Sequence, residues 1–354
     1  MILNGAGGVR ILRKKEIAGS WENVTPGAMD LTGQGGAAYG CNVVLAHPTT
    51  AGLLYAYNDR DGVWTSTQAG KLGTWTKVSP EDDPGLDAGK LWGGEILSDG
   101  TLLACCGDNF ADPPGAATEY RVSVGRSTDG GASWTWVATA ASPYGLSKDP
   151  TDSNHLLGTD KGGEKIIESS NGGQGWSDRG DVTGLGNSAY PLLLNATTAI
   201  LISQDEGGIW RGTKSGSTWT WTNIDPDIVH YHGVSFPFYD VAAGLIFMPH
   251  KAGIVVSDDL GLSWDDVSAS AADCIWATAT RMYAATSAPT QDTYTPNIRT
   301  ATRAALPSFG SPTNPSGMDN GPRTVAVTTS PTTGQTVVVT SNWLAGLWRW
   351  VEPS

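Results

Sequence analysis

Short apolar runs alternate with turns rich in Gly, Asp, Asn and Ser along the whole chain, and no stretch sustains the spacing of an amphipathic helix. One kind of run, in which Ile or Val often follows Gly, recurs at intervals of about 43 to 60 residues. Its seven copies lie at 62–64, 122–124, 165–167, 208–210, 253–255, 297–299 and 346–348. The pattern predicts an all-β protein made of repeated units.

Two further β-rich runs joined by a short turn precede most of these copies; in the first unit they are 42–46 and 52–56. Four strands in a repeat of this length are typical of a propeller blade. We therefore expect an all-β, seven-bladed β-propeller of four-stranded antiparallel blades in one domain over 1–354. Six or eight blades fit the spacing less well. The third unit is the weakest, because only 155–157 reads clearly as strand.

The last unit ends at Trp350-Val351, before an outer strand can form. Two runs near the start, 9–12 and 20–24, have the composition of the missing hairpin. Pairing of the two ends would close the ring and remove its exposed sheet edges. The sequence therefore predicts that the N-terminal segment, within 1–25, completes the seventh blade. It leaves open which end supplies the third strand.

An octet of the form Ser-x-Asp-x-Gly-x-Ser-Trp follows three of the strand runs in whole or altered form, at 127–134, 169–176 and 257–264. In such a turn Asp or Asn accepts backbone N–H groups, Gly takes the positive-φ position, and Trp packs the hairpin onto its sheet. We therefore interpret the following as fold residues: Asp129, Trp134, Asn171, Trp176, Asp259 and Trp264.

The octet resembles the Asp-box of sialidase-like and xyloglucanase-like β-propellers. The resemblance extends over nearly the whole chain and implies the propeller fold. The corresponding turns of units one, four and six are degenerate, and in units one and four Trp75 and Trp219 remain without an Asp.

Charge and cysteine content narrow the classes of partner. The 354 residues carry a formal net charge of −13, which disfavours binding to nucleic acid or anionic lipid and favours neutral glycans or cationic groups.

The four cysteines lie in apolar runs without zinc-type spacing, so we interpret them as small buried hydrophobes. No cofactor is expected. The cysteines are Cys41, Cys105, Cys106 and Cys274.

The first 24 residues contain no apolar core of a signal peptide and no membrane-spanning run of about 20 residues. We therefore expect neither export by a standard signal nor insertion into a membrane. The expected location is a virion or another extracellular particle, or otherwise the cytoplasm.

In a propeller the connections between second and third strands lie on one face with the crossings between blades, and such loops often carry function. Acidic, aromatic and histidine side chains occur in these predicted loops, and this combination suits sugar recognition. The candidate ligand-binding residues are Asp59, Arg60, Asp61, Asp108, Asp160, Asp205, Glu206, His230, Tyr231, His232, His250 and Trp343.

A metal site at His230-Tyr231-His232 is not expected, because successive strand residues alternate faces and the sequence places no third ligand.

Resemblance to glycoside hydrolases implies a second function. The run 55–64 is similar to the segment that carries the catalytic Asp of xyloglucanases, which would make Asp59 or Asp61 the catalytic residue. Sialidases of this kind carry an early Phe/Tyr-Arg-Ile-Pro motif, and the run 9–12 resembles it only at Arg10-Ile11. Hydrolysis needs two carboxyl groups about 5 to 9 Å apart. The partner would have to come from Asp82, Asp83, Asp108 or Asp205.

The sequence thus favours a propeller that binds a glycan, a cell-surface polysaccharide or another cell-surface partner, as a phage tail component or other particle-borne module with further subunits as neighbours. A glycoside hydrolase is the first alternative. A purely structural assembly propeller is the second.

Overall fold

A computed structural model describes residues 2–3, 9–10, 16, 18–32, 39–83, 85–86, 91–106, 122–186, 189–203, 207–228, 230, 236–286, 296–303 and 307–353. The first two strands, β1 (Ile2–Leu3) and β2 (Val9–Arg10), form a separate antiparallel pair. The strand β3 (Trp21–Asn23) joins the last sheet of the chain. All other strands form sheets in chain order.

Blades one to four each contain four antiparallel strands. Blade one contains β4 (Cys41–Ala46), β5 (Leu54–Asn58), β6 (Gly62–Ser66) and β7 (Trp75–Lys77). Blade two contains β8 (Gly93–Ile96), β9 (Leu102–Cys105), β10 (Ser123–Ser127) and β11 (Thr135–Ala138). Blade three contains β12 (Pro143–Lys148), β13 (Leu156–Asp160), β14 (Lys165–Ser169) and β15 (Ser177–Asp181). Blade four contains β16 (Ala189–Asn195), β17 (Thr198–Ser203), β18 (Ile209–Ser215) and β19 (Thr218–Asp225).

The remaining sheets complete the predicted count of seven blades. Blade five contains β20 (Phe238–Asp240), β21 (Leu245–His250), β22 (Gly253–Ser257) and β23 (Asp265–Ser268). Blade six has three strands within the described residues, β24 (Cys274–Ala277), β25 (Arg281–Ala285) and β26 (Ile298–Thr302). Blade seven contains β27 (Thr324–Thr329), β28 (Thr336–Ser341) and β29 (Leu347–Val351), followed by β3.

The core consists of apolar layers between neighbouring blades. One layer joins Leu157 of blade three to Leu193 and Leu201 of blade four. Another joins Val44 of blade one to Val339 of blade seven, and this contact closes the ring. Alternate residues of the strands point to the two faces of a blade, so each blade contributes side chains to two such layers. The all-β seven-bladed prediction is confirmed.

The inner strands approach one another so closely that some positions require Gly. A Cβ on Gly93 would lie 2.6 Å from the carbonyl oxygen of Tyr144, and a Cβ on Gly145 would lie 2.9 Å from Pro191. This constraint explains why the third unit looked weak in the sequence. Its inner strand β12 contains Pro143 and Gly145, residues that are rare in strand interiors.

Blade seven is closed by the N-terminal strand, as the sequence predicts. Strand β29 pairs with β3 through Trp348 and Asn23, and Trp21 packs against Trp350 with ring centroids 5.5 Å apart. The C-terminal end therefore supplies the third strand and the N-terminal segment the fourth. One part of the expectation is wrong: Val9–Arg10 does not extend the blade but pairs with Ile2–Leu3, because a single strand already covers the edge of β29.

The three octets form turns with one hydrogen-bond pattern. In the first, the Ser127 hydroxyl accepts from the Gly131 N–H at 2.9 Å, and Asp129 accepts from the Ser133 N–H and hydroxyl. The same Ser-to-Gly bond closes the turns at Ser169 and Ser257.

The turn at Ser66 keeps this bond without an Asp. There the Ser66 hydroxyl accepts from the Gly70 N–H at 3.2 Å, and the Trp75 indole donates to the Gly70 carbonyl. The left-handed backbone at Ala69 and Gly70 is also retained. The turn geometry of the first unit thus persists although Gln68 stands in the Asp position.

Arginines on three blades tie these turns to the preceding sheet. The Nε–H of Arg126, Arg211 and Arg349 each donates to the carbonyl of a left-handed turn residue in the next blade, at 2.8 to 3.0 Å. The acceptors are Gly172, Leu260 and Ala69. The turns therefore connect blades two to three, four to five, and seven to one.

Within the described residues no helix is long and apolar enough to cross a membrane.

We expect deletion of residues 1–25 to destabilise the ring, because β29 would lose its partner and the buried Val24 side chain. Loss of Val24 burial alone costs about 2 kcal/mol, and the bare edge of β29 should cause concentration-dependent association. Thermal unfolding and size-exclusion chromatography at several concentrations measure both effects. Deletion of 1–10, which removes only the β1–β2 pair, is the matched control. Equal stability of the two truncated chains would contradict closure by β3.

Candidate functional site

The chain enters each blade at its inner strand, and antiparallel pairing places all seven entry points at the same end of the ring as the loops between second and third strands. Large side chains occupy the entry points of blades two to five and seven. Together with two loop residues they form what we call the mouth cluster. It consists of Trp92, Tyr144, Lys161, Tyr190, Phe236, Arg323 and Trp343.

Aromatic rings of successive blades contact one another across the mouth. The ring centroids of Trp92 and Tyr144 lie 5.4 Å apart, those of Tyr144 and Tyr190 4.9 Å, and those of Tyr190 and Phe236 4.5 Å. The Tyr190 hydroxyl donates to the Tyr144 hydroxyl at 2.8 Å. Tyr39 extends this row on the other side of Trp92, at 5.2 Å. Tyr39 and Phe236 are partly exposed, whereas the three rings between them are buried.

Two buried cations lie among these rings. The Arg323 guanidinium donates to the carbonyl oxygens of Asn42 and Trp92 at 2.7 and 2.6 Å, and to the Tyr190 hydroxyl at 3.1 Å. Lys161 places its Nζ 4.6 Å from the ring centroid of Tyr144 and 5.0 Å from that of Trp92. Cations at such distances are attracted by the negative ring faces. The mouth thus combines positive charge with apolar surface.

Asp59 lies at this end of the ring, but its carboxylate is fully buried. One carboxylate oxygen accepts from the Tyr39 N–H at 2.9 Å, and the other from the Leu91 N–H at 3.2 Å. Asp59 therefore holds two segments in place beside the mouth cluster. This geometry favours a structural role over that of a catalytic acid, which must reach a substrate.

Asp61 is also engaged by the protein itself. Its Oδ2 accepts from the Trp64 indole at 2.9 Å and from the Asn58 amide at 3.1 Å, and Lys77 lies 3.4 Å from Oδ1. Among the carboxylates proposed as its partner, Asp83 accepts from the Trp136 indole and two backbone N–H groups. Both groups thus brace loops of blades one and two.

The other described candidates lie in separate loops of the same face. Asp160 accepts from the Ser142 N–H at 2.7 Å, and burial raises the pKa of its carboxyl group. Arg60 adopts the left-handed backbone conformation. Among the candidate ligand residues that the structure describes, Trp343 alone lies inside the mouth cluster.

His230 and His250 both lie at the loop face of blade five. Burial is the main cause that lowers the pKa of His230 to about 3, and a nearby His250 adds to it. Burial also lowers the pKa of His250. Both imidazoles are therefore neutral near pH 7. The described residues contain no group of three or more His, Cys, Asp or Glu side chains that could hold a metal ion.

Five candidates lie outside the described residues, so their positions relative to the mouth cluster stay predictions. They are Asp108, Asp205, Glu206, Tyr231 and His232.

Sequence reasoning missed most of the mouth cluster. A signal was present, because Trp92, Tyr144, Tyr190 and Phe236 each stand at the start of an inner strand and recur with nearly the blade period. Arg323 had no signal of this kind, since a single Arg in a loop is common.

A second charged cluster lies on the opposite face, between blades three and four. The His155 ring bonds to Glu168 at 2.7 Å and to Asp149 at 3.3 Å. Glu168, itself buried, also pairs with Arg179 at 2.6 Å and with Lys214 at 2.7 Å. Burial opposes ionisation of Glu168, but the bonds to His155, Lys214 and Arg179 outweigh it and lower its pKa to about 2. The bond to Glu168 raises the pKa of His155.

No protein-family profile and no curated protein match the chain. Solved structures share its fold. The chain is 12% identical to YCF48 from Cyanidioschyzon merolae, with a TM-score of 0.58 over 95% of this chain and 99% of that one. It is 8% identical to the extracellular domain of BT4673 from B. thetaiotaomicron, with a TM-score of 0.61 over 95% of this chain and 40% of that one.

An ancestral GH74 enzyme is 14% identical, with a TM-score of 0.55 over 92% of this chain. The chain spans 46% of the length of that enzyme. At these identities the likeness establishes the propeller fold alone.

The His155 cluster predicts a stability that falls in alkali. Because the folded state raises the pKa of His155, its contribution is complete below the unfolded pKa of about 6.5 and is lost as pH rises through the higher folded pKa. His155→Gln should therefore lower the free energy of unfolding by about 3 kcal/mol near pH 6. Near pH 9 the same substitution should lower it much less. Urea unfolding at the two pH values measures this difference.

Glu168→Gln is the matched variant, because it removes the group that raises the His155 pKa. It should abolish most of the alkaline loss seen in the wild type. An unchanged alkaline loss in both variants would assign the effect to another group.

Proposed function

We propose that this propeller is a binding module that holds a carbohydrate or another cell-surface component at the mouth cluster. The observation that carries this proposal is the row of aromatic rings from Tyr39 to Phe236 at the end of the ring where the loops converge. Aromatic faces with polar tips suit the apolar faces and hydroxyls of sugar rings. The partly exposed Phe236 and Tyr39 offer the first contact surface.

The proposal also covers the type of the three octet turns and the kind of particle that carries the protein. We assign the Ser-Asp-Gly turns to the Asp-box type of sialidase-like and xyloglucanase-like propellers, on the hydrogen bonds of Asp129 and Asp259. A place on a phage tail or another extracellular particle, with other subunits as neighbours, fits a binding module of low charge content. The fold shared with a GH74 enzyme and with an extracellular domain agrees with this role.

A catalytic role has weaker support in the site. Asp59 has both carboxylate oxygens occupied by backbone donors and is fully buried. Asp61 accepts from an indole and an amide. Neither geometry leaves a carboxyl group directed at an open cleft, which hydrolysis requires of both acids.

The test is retention of the protein on pelleted plant and bacterial polysaccharides, with reducing ends measured in the same samples. We expect one polymer class to retain the wild type without release of reducing ends. Phe236→Ala should weaken retention about tenfold, since one aromatic contact is worth about 1.4 kcal/mol. Trp221→Ala is the matched control, because Trp221 is a partly buried aromatic residue on β19, stacked on Trp219 away from the mouth.

Two results would overturn the proposal. Release of reducing ends that disappears in Asp61→Asn would identify a hydrolase. Absence of retention on every polymer and on intact cells would favour the assembly propeller without a ligand.

A further inference from the structure

Arg323 is a buried cation of the mouth cluster. Its side chain is fully buried, and none of the described carboxylates lies within ion-pair distance of it. Its hydrogen-bond acceptors are all neutral: two backbone carbonyls and the Tyr190 hydroxyl. Buried charges in proteins are usually paired, because transfer of an unpaired ion from water is costly. This position therefore calls for an explanation.

Arg349 shows how the same protein treats a comparable side chain. It is also buried, and it forms an ion pair with Glu16. Arg323 forms no such pair with any described carboxylate. A fixed positive charge therefore stands at the centre of a chain whose net charge is −13.

Three aromatic rings hold the guanidinium in place. Its carbon lies 4.9 Å from the ring centroid of Trp343, 5.5 Å from that of Phe236 and 5.6 Å from that of Trp92. These contacts lower the cost of burial without cancelling the charge. They also fix the orientation of the N–H groups, so that a ligand would find them already arranged.

Hydrogen-bond donors without partners occur on residues that contact this guanidinium. The Nε–H of Arg323 and the indole N–H of Trp343 are buried and unpaired. So are both polar atoms of the Asn42 side-chain amide, and the backbone carbonyl of Asn42 accepts from Arg323. The side-chain oxygen of Asn342, the residue before Trp343, is a buried acceptor that is also unpaired. Buried groups of this kind need an explanation, and a bound ion or water is one of them. Neutral N–H donors next to a guanidinium are suited to bind an oxyanion, because its oxygens accept hydrogen bonds and carry negative charge.

The mouth cluster offers a route to this position. Phe236 is partly exposed and contacts the guanidinium directly, so Arg323 lies one aromatic ring below the surface of the loop face. Lys161 adds a second positive charge on the same Trp92 ring. An anionic group entering past Phe236 would therefore approach two cations, Arg323 and Lys161.

We propose that the mouth cluster binds the oxyanion group of its ligand, a carboxylate, sulfate or phosphate, with Arg323 as the charged partner and Trp343 and Asn42 as neutral donors. The inference rests on the proposed binding function at the same site. It also narrows that function, because the net charge of the chain by itself favours neutral or cationic ligands. The oxyanion can belong to an acidic saccharide or be a free inorganic ion.

Calorimetry on the wild-type protein separates these sources. Glucuronate and galacturonate are compared with glucose and galactose, their neutral counterparts, and with inorganic phosphate and sulfate at constant ionic strength. We expect the uronates to bind about 10- to 100-fold more tightly than the neutral sugars, as a charge-assisted hydrogen bond from the guanidinium Nε–H implies. Binding of phosphate or sulfate without the uronates would support an inorganic oxyanion site.

Arg323→Gln should remove the preference for the anion. The matched control is Arg299→Gln, because Arg299 is likewise buried and bonded to carbonyls but lies in β26, outside the mouth cluster. Its preference should be unchanged. If Arg323→Gln does not fold, the comparison of uronate with neutral sugar on the wild type decides alone.

Equal affinity of the wild type for uronate and neutral sugar would overturn the oxyanion inference and leave the proposed binding function intact. Binding of none of the sugars or anions would overturn the inference. The polysaccharide retention assay would then decide the proposed function separately.

Discussion

Ring closure is the constraint on which the rest of this structure depends. Each blade buries its two faces only against its neighbours, so the layers between blades are complete only when blade seven meets blade one. Strand β3 covers the outer edge of β29, and Val44 and Val339 meet between these two blades. Without that closure two sheet faces and one edge would face water.

Closure also creates the mouth cluster. The inner strands of blades far apart in sequence start at one end of a narrow ring, so Arg323 of blade seven reaches the carbonyl of Trp92 in blade two and the hydroxyl of Tyr190 in blade four. Large side chains fill this space because small ones would leave a void between seven strands. A buried cation among aromatic rings is thus part of the packing, and it is the group to which we assign ligand binding in our proposal.

The two faces of the ring use charge differently. On the face of the Ser-Asp-Gly turns, Glu168 is surrounded by Arg179, Lys214 and His155, so the buried charges balance. At the mouth, the described neighbours of Arg323 are aromatic rings, two carbonyls and the Tyr190 hydroxyl, and none of them carries a negative charge. The first arrangement stabilises contacts between blades. The second leaves a charge that a ligand can still neutralise.

The sequence by itself determined the blade count, the strand runs, the turns at Ser127, Ser169 and Ser257, and the closing segment, because these follow from local periodicity and turn chemistry. It did not determine the site. Asp59 reads as a loop acid, yet only the fold shows both its oxygens occupied by Tyr39 and Leu91. The mouth cluster joins residues far apart in the sequence: Arg323 donates to the carbonyl of Trp92, 231 positions away. Side chains so distant meet only through tertiary structure, so their burial, pairing and charge balance were decided there.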